Sequence, residues 1–233
     1  MLGEMKSTLV IFPGTNREQD MVMAIEQASG TKPELVWHND ANFPRTDLII
    51  VPGGFSYGDY LRSGAMAARS PAMNLVTEYA GKGVPVLGVC NGFQILTEIG
   101  LLPGALIRNK NLKFICRNIN IRVEIDNTIF TSGYSKGQII SIPVAHNDGN
   151  YFADNNLLAT LNDNDQIAFK YTDASGNVNE NTNPNGSSCN IAGILNPDKN
   201  VLGLMPHPEN ATDTALGCTD GRALFQSLVD SIS

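Results

Sequence analysis

The sequence contains no long hydrophobic run, and this absence argues against a membrane protein. No apolar stretch approaches the ~18 residues that a transmembrane helix needs. The segment TLVIF at residues 8–12 is also too short for the core of a secretory signal peptide. With 42% hydrophobic and 17% charged residues, the 233-residue chain is expected to form one cytoplasmic domain over residues 1–233, without membrane contact.

Basic residues and closely spaced cysteines are also scarce. The 16 Lys and Arg residues are outnumbered by 23 Asp and Glu, so the net charge of -7 argues against nucleic-acid binding. None of the four cysteines lies in a C-x-x-C motif, and no metal site is predicted. Four cysteines allow two disulfides, but a cytosolic chain of this size is expected to keep free thiols. They are Cys90, Cys116, Cys189 and Cys218.

The first half of the chain alternates short β-rich segments with amphipathic ones, a rhythm typical of a parallel sheet covered by helices. A helical pattern over residues 60–80 is interrupted by Pro71. Beyond Pro103 the segments resemble paired strands, and residues 172–190 have the composition of a solvated loop. The sequence therefore predicts an α/β fold with a mostly parallel central sheet and antiparallel extension strands.

The segment PVLGVCNGFQ, residues 85–94, ends an apolar strand on Cys90 and turns at once into a helical pattern. Gly88 and Gly92 flank the cysteine in a G-x-C-x-G arrangement, which is typical of a nucleophile elbow. Such a turn strains its central residue and points the N-terminal amides of the following helix towards it, where they stabilise a thiolate. Cys90 is therefore a candidate nucleophile; a buried structural cysteine is the alternative.

A cysteine nucleophile needs a base, and the chain has three histidines. His207 lies in the segment LGLMPHPEN, directly after its apolar part, and Glu209 follows two positions later. Because residues two apart point the same way in an extended segment, Glu209 is expected to hydrogen-bond the imidazole and orient it. A surface His–Glu pair is the alternative. His38 and His146 have no comparable carboxylate neighbour and are interpreted as structural or interface residues.

Adjacent glycines follow the strand DLIIV, in the sequence Pro52, Gly53 and Gly54. Without side chains, the backbone here can approach a ligand closely, and the amides of Gly54 and Asn91 are predicted to form a two-sided oxyanion hole. A simple turn is the alternative for P-G-G alone.

Together, P-G-G, G-V-C-N-G-F-Q and H-P-E resemble, in this order, the class I glutamine amidotransferases. Four longer segments resemble one branch of that class, the glutaminase subunits of phosphoribosylformylglycinamidine synthase in purine biosynthesis. The segments are PGGFSYGDYLRSGA, GLLPGALIRNKNLKFICRNINIRVE, NPNGSSCNIAGILNP and NVLGLMPHPE. The similarity runs from Val10 to Phe225. The chain departs from the family pattern at Asn210, where Arg is common, and at AHNDGNY, where the family reads A-H-G-E-G.

The resemblance implies a flavodoxin-like three-layer fold and the hydrolysis of glutamine to glutamate and ammonia. It makes Cys90 the nucleophile that forms a glutamyl thioester, His207 the acid and base, and Glu209 the group that orients the imidazole. It also implies that Gly53 and Gln94 contact the substrate; a solvated helix residue is the alternative for Gln94.

The resemblance further implies partner subunits. The chain has no G-x-x-x-x-G-K-[ST] loop, so no cofactor is expected in it, and ATP and Mg²⁺ are expected on a large synthase subunit. That subunit would receive ammonia and convert formylglycinamide ribonucleotide to formylglycinamidine ribonucleotide, with a small third subunit bridging the two. The candidate interface residues are Tyr57, Asp59, Tyr60 and Arg62, for which a solvent-facing helix start is the alternative.

Two other functions are compatible with the same motifs. One is a stand-alone γ-glutamyl cysteine hydrolase, and the other is a non-catalytic binding or regulatory module that keeps the fold. Dependence of turnover on a synthase partner would separate the first from a glutaminase subunit, and covalent labelling of Cys90 by a glutamine-like reagent would separate the second.

Overall fold

A nine-stranded sheet organises the part of the chain that the computed structural model describes, residues 5–232. Two further strands, β5 and β8, pair with each other in a small separate sheet. In chain order the strands are β1 (Ser7–Ile11), β2 (Glu34–Trp37), β3 (Leu48–Val51), β4 (Val86–Val89), β5 (Ala105–Ile107), β6 (Ile115–Val123), β7 (Ile139–His146), β8 (Asn150–Phe152), β9 (Ile167–Thr172), β10 (Ile191–Leu195) and β11 (Val201–Leu204).

The large sheet has a parallel half and an antiparallel half. Its strand order is β2-β1-β3-β4-β11-β10-β9-β6-β7; the first five strands pair in parallel and the last four join them through antiparallel ladders. Every residue of β3, β4 and β11 is buried, as expected for parallel strands that are covered on both faces. The predicted α/β fold is confirmed, and the antiparallel strands continue the same sheet.

In the described part of the chain, five α-helices accompany the sheet. They are α1 (Glu18–Ser29), α2 (Pro71–Gly81), α3 (Asn91–Glu98), α4 (Asn155–Asp163) and α5 (Arg222–Ile232). Helices α1 and α5 pack against each other, whereas α3 packs against β3, β4 and β11. Within residues 5–232, no helix combines the length and the apolar character needed to cross a bilayer.

The helix predicted over residues 60–80 is wrong in its first half. Residues 60–66 contain no helix, a short 3₁₀ turn covers Ala67–Arg69, and α2 starts at Pro71. Proline fixes φ and lacks an N–H, so it fits the first position of a helix, where no intrahelical acceptor is available. Pro71 therefore starts the helix and does not interrupt one.

The prediction of a solvated loop over residues 172–190 is also wrong in part. Asn185, Ser187 and Asn190 are buried. The amide of Asn190 donates to the carbonyls of Tyr171 and Asn179, at 3.2 and 2.9 Å. Asparagine side chains here replace backbone partners, so a composition typical of solvated loops forms an internal hydrogen-bond network. Strands β5 and β8 and helix α4 were not predicted from the sequence.

The contact between α3 and the sheet requires a glycine. A Cβ atom on Gly92 would overlap the carbonyl oxygen of Val51, which is backbone at the end of β3 and cannot turn away. We expect Gly92→Ala to lower the free energy of unfolding by about 1–3 kcal/mol, measured by urea denaturation. Gly81→Ala is the matched control, because a Cβ at Gly81 meets no atom within 4 Å. Equal stability of the two variants would contradict this packing.

Candidate active site

The carboxyl ends of three neighbouring parallel strands bring the predicted site residues together. Val51 of β3 pairs with Gly88 of β4, and Leu204 of β11 pairs with Val89 of β4. The carboxyl ends of β3, β4 and β11 therefore lie at the same edge of the sheet. The backbone N–H of Cys90 donates to the carbonyl of Leu204 at 2.7 Å, which joins the cysteine to the strand that leads to His207.

Cys90 has the strained backbone that the elbow motif predicts. Its φ is +51° and its ψ is -104°, a conformation that costs a residue with a side chain about 1–3 kcal/mol. Helix α3 begins at the next residue, Asn91, and the side chain of Cys90 is 5% exposed. Its Sγ lies 3.7 Å from the carbonyl oxygen of Ala145. All four cysteines are free thiols, as predicted.

His207 and Glu209 form the predicted pair. His207 Nδ1 lies 2.7 Å from Glu209 Oε1, and both side chains are buried. The reason given from the sequence is wrong, however, because β11 ends at Leu204 and Glu209 lies in a 3₁₀ turn over Pro208–Ala211. A tight turn, and not the alternation of an extended strand, places the carboxylate against the ring.

The surroundings of His207 favour its charged form. Burial lowers the pKa of the imidazole, but the carboxylate of Glu209 and the sulfur of Cys90 outweigh burial, so the pKa is raised above its usual value. Because Nδ1 is occupied by Glu209, Nε2 is the nitrogen left for other groups, and among residues 5–232 it has no hydrogen-bond partner of good geometry. Nε2 is thus available for proton transfer.

Gly53 lies directly against the His207 ring. A Cβ atom at this position would be 2.8 Å from His207 Cε1, so a side chain here would displace the imidazole. The structure therefore places Gly53 against the imidazole of His207, whereas the sequence resemblance implies a substrate contact for this glycine.

The two predicted oxyanion donors both lie close to Cys90. Gly54 has a φ of +151° and lines the same small cavity as Cys90. Asn91 starts α3, so its backbone N–H has no intrahelical acceptor. The Asn91 side chain accepts from the N–H of Ser56 at 3.1 Å, which connects the elbow to the segment after Gly54.

The side chain of Gln94 is buried, and both the oxygen and the nitrogen of its amide form hydrogen bonds. Its Oε1 accepts from Asn91 Nδ2 at 2.8 Å, and its Nε2 donates to the carbonyl of Asp148 at 2.7 Å. It is therefore not a solvated helix residue. It lines the cavity next to Cys90, where the sequence places a substrate contact.

The four predicted interface residues separate into two groups. Tyr60 is 89% exposed, and Arg62 lies on the surface in a bidentate ion pair with Glu98. The hydroxyl of Tyr57 instead points inward, 2.8 Å from Nδ1 of the buried His38. Asp59 also points inward and lines the cavity of Cys90. Of the four, Tyr60 and Arg62 are the residues whose side chains lie on the surface, so only these two remain candidates for an interface.

His146 is a site residue that the sequence interpretation missed. It was interpreted as structural or interfacial, but it is buried and lines the cavity of Cys90. Burial, together with the charge of His207, lowers its pKa to about 4, so its imidazole is neutral. The signal available was its segment, residues 145–151, which is one of the two places where the chain departs from the family pattern.

The chain matches a known protein family. The profile of the CobB/CobQ-like glutamine amidotransferase domain matches residues 4–217, so the chain belongs to this family. Within it, the chain belongs with the PurQ subunits of phosphoribosylformylglycinamidine synthase. PurQ of Rhodospirillum rubrum is 57% identical over 230 residues, which cover 98% of this chain and 100% of that protein. PurQ of Rhodopseudomonas palustris BisB18 is 55% identical, covering 98% and 99%.

Solved structures show the same relationship. The structure of PurLQS from Thermotoga maritima contains a chain with a TM-score of 0.87 and 39% identity, and the match covers 99% of this chain and 100% of that one. The glutaminase domain of CTPS from Trypanosoma brucei, with bound acivicin, has a TM-score of 0.57 at 17% identity, covering 98% and 95%. The latter likeness shows the fold alone.

Removal of the carboxylate next to His207 tests the triad. We expect Glu209→Gln to lower kcat for glutamine hydrolysis by about 10²–10⁴-fold, because an amide neither stabilises the imidazolium nor fixes the tautomer. Glu78→Gln, an exposed carboxylate on α2 that pairs with Lys82, is the control and should leave kcat unchanged. Steady-state kinetics check this, and an unchanged kcat in Glu209→Gln would contradict the pairing.

The lowered pKa of His146 predicts how stability depends on pH. The pKa of His146 is 6.5 in the unfolded chain and about 4 in the folded protein, so the unfolded state binds the proton more tightly. The stabilising contribution is complete above about pH 6.5 and is lost as the pH falls towards 4. Between about pH 7 and pH 5, the free energy of unfolding of the wild type should fall by about 2 kcal/mol more than that of His146→Gln. Equal losses in urea titrations would contradict the buried neutral ring.

Proposed function

We propose that this chain is the glutaminase subunit of a phosphoribosylformylglycinamidine synthase, with Cys90, His207 and Glu209 as its catalytic residues. The observation that carries the proposal is the buried 2.7 Å contact between His207 and Glu209, beside a cysteine in a strained elbow. A strained nucleophile and a charged buried pair both cost stability, and both are explained by catalysis.

The first half-reaction forms a thioester. The thiolate of Cys90 attacks the side-chain carbonyl carbon of glutamine, and the oxygen becomes an oxyanion that the backbone amides of Gly54 and Asn91 stabilise. The imidazolium of His207 then gives its proton to the departing nitrogen, because an amide ion is too poor a leaving group. The C–N bond breaks, ammonia leaves, and a glutamyl thioester remains on Cys90.

The second half-reaction releases glutamate. His207, now neutral, takes a proton from water, and the resulting hydroxide attacks the thioester carbonyl. The same two amides stabilise the second oxyanion. The C–S bond breaks, glutamate leaves, and the thiolate–imidazolium pair is restored. Glu209 keeps the ring in one orientation in both halves, because its carboxylate holds Nδ1 throughout.

Ammonia produced in this way requires an acceptor on another chain. A large synthase subunit that binds ATP and Mg²⁺ is proposed to use it to form formylglycinamidine ribonucleotide, with a small third subunit completing a cytoplasmic complex. The likeness to a chain of PurLQS supports the large subunit. Tyr60 and Leu61, at 89% and 66% exposure, are large apolar side chains in the segment that follows the oxyanion glycine, and this exposure favours a docking role.

The two alternative functions are less well supported. A non-catalytic module gains nothing from a positive φ at Cys90 or from a buried His207–Glu209 pair. A stand-alone hydrolase uses the same triad, but the 57% identity to PurQ of Rhodospirillum rubrum over nearly the whole chain favours the synthase subunit.

The nitrogen donor separates these functions experimentally. In a complex with the large subunit, Cys90→Ala should abolish glutamine-dependent synthesis and leave ammonium-dependent synthesis intact, because the chemistry on the ribonucleotide occurs elsewhere. Cys116→Ala, which removes an exposed thiol, is the matched control and should retain both activities. The isolated chain is expected to hydrolyse glutamine weakly.

Product formation should be measured with each donor in turn, with and without the large subunit. Strong glutamine hydrolysis by the isolated chain, unaffected by the large subunit, would support the stand-alone hydrolase. Full glutamine-dependent activity in Cys90→Ala would overturn the proposed nucleophile.

A further inference from the structure

The segment that begins at the predicted oxyanion glycine has a strained backbone. This oxyanion segment, residues 54–59, follows β3. Tyr57, Gly58 and Asp59 have φ values of 54°, 72° and 51°, and Gly54 has a φ of +151°. A residue with a side chain disfavours the left-handed region, so this conformation persists only where neighbouring elements hold it. The direction of the Gly54 N–H therefore depends on what the segment contacts.

Backbone hydrogen bonds hold the segment from one side. The N–H of Phe55 donates to the carbonyl of Gly14 at 3.0 Å, and the N–H of Tyr57 donates to the carbonyl of Pro13 at 2.6 Å. Both acceptors belong to the loop after β1. Because a backbone donor is present in any residue except proline, these bonds do not explain why a tyrosine occupies a left-handed position.

The side chain of Tyr57 makes a contact that explains this residue. Its hydroxyl lies 2.8 Å from His38 Nδ1, and the two rings meet edge to face with 5.4 Å between their centroids. Glycine would adopt the same φ without strain but could not reach His38. The strain at Tyr57 is thus offset by a contact that needs its side chain.

His38 provides a fixed partner for this contact. Its side chain is buried, stacks on Phe12 with 6.1 Å between ring centroids and lies 4.8 Å from the ring of Trp37. Its N–H donates to the carbonyl of Ile11 at 2.8 Å, and its carbonyl accepts from the N–H of Ala72 at 3.1 Å. The end of β1, the end of β2 and the start of α2 together hold the imidazole in place.

The hydrogen bond does not depend on one protonated form of the ring. Burial lowers the pKa of His38 and outweighs the opposite influence of Asp40, so the imidazole is neutral at pH 7. A hydroxyl can both donate and accept, and either tautomer of the neutral ring therefore bonds to Tyr57.

We propose that His38 is a positioning residue for glutamine hydrolysis: through its hydrogen bond to Tyr57 it holds the oxyanion segment so that the Gly54 N–H faces the reacting carbonyl oxygen. This inference rests on the proposed glutaminase function. His38 does not line the cavity of Cys90 and acts through Tyr57. It was interpreted from the sequence as structural or interfacial, and the proposal gives it an indirect part in the reaction.

The test removes the hydrogen bond and keeps both rings. In the complex with the large subunit, Tyr57→Phe should lower kcat for glutamine roughly 5- to 50-fold and change KM less than about 3-fold, because a misplaced oxyanion donor weakens binding of the transition state. His38→Phe should have the same effect. The double variant should lose no more than either single variant, since the same bond is lost in all three. Tyr79→Phe, which alters a half-buried tyrosine on α2, is the matched control and should keep kcat.

A second readout separates positioning from damage to the whole site. Alkylation of Cys90 by iodoacetamide, followed by mass spectrometry, is a displacement that forms no oxyanion. Its rate should be the same in the wild type, Tyr57→Phe and His38→Phe, because the nucleophile and its base are untouched. If His38→Phe folds poorly, Tyr57→Phe alone decides.

Three results would overturn the inference: an unchanged kcat in Tyr57→Phe, losses that add in the double variant, or alkylation that slows in proportion to kcat. Each of them leaves the proposed function intact, provided that the wild type uses glutamine. A wild type without glutamine-dependent activity would overturn the proposed function and this inference together.

Discussion

The parallel pairing of β4 with β11 is the interaction on which the site depends. Cys90 and His207 are separated by more than a hundred residues, and each follows its strand closely, so only adjacent strands that run in the same direction deliver both to one edge. The 2.7 Å hydrogen bond from Cys90 N–H to Leu204 continues this ladder into the turn itself. Backbone pairing therefore brings Cys90 and His207 close to each other before any side chain contributes.

Glycine residues allow the elements of the site to pack closely against each other. Gly92 lets α3 lie against the end of β3, and Gly53 leaves room for the His207 ring. At both places a methyl group would meet either backbone or the imidazole, so the elements would separate. Protein interiors are close-packed, and a displacement of this kind is transmitted to the groups that depend on it. The conformational freedom of glycine matters less here than its lack of a side chain.

Electrostatics divide the site into two halves with opposite protonation preferences. Around His207, one carboxylate and one sulfur favour the protonated ring, which gives the pair a proton to transfer. A neutral His146 and two carboxylates, Asp59 and Asp148, form the other side of the cavity. The charge on His207 contributes to the lowered pKa of His146, so one imidazole remains charged and its neighbour remains an acceptor. Neighbouring groups with opposed protonation states are typical of functional sites.

The sequence by itself determined the chemistry-bearing positions. Buried strands appear in the sequence as apolar runs. A cysteine between two glycines at the end of such a run predicts a sharp turn from strand to helix. The elbow, P-G-G and H-P-E could therefore be recognised without coordinates. Prediction from local sequence failed where a residue contacts segments that are distant in the chain. Asn185 and Asn190 are buried by contacts with other segments, although their own segment has the composition of a loop.

The tertiary structure alone decided which polar groups face each other. It turned Tyr57 and Asp59 inward, paired Glu209 with His207 through a turn, and placed His146 beside Cys90. In irregular segments the direction of a side chain depends on backbone angles, such as the positive φ of residues 57–59. The spacing of hydrophobic residues in the sequence does not predict these angles. The residue types are local information, whereas their convergence follows from strand order and close packing.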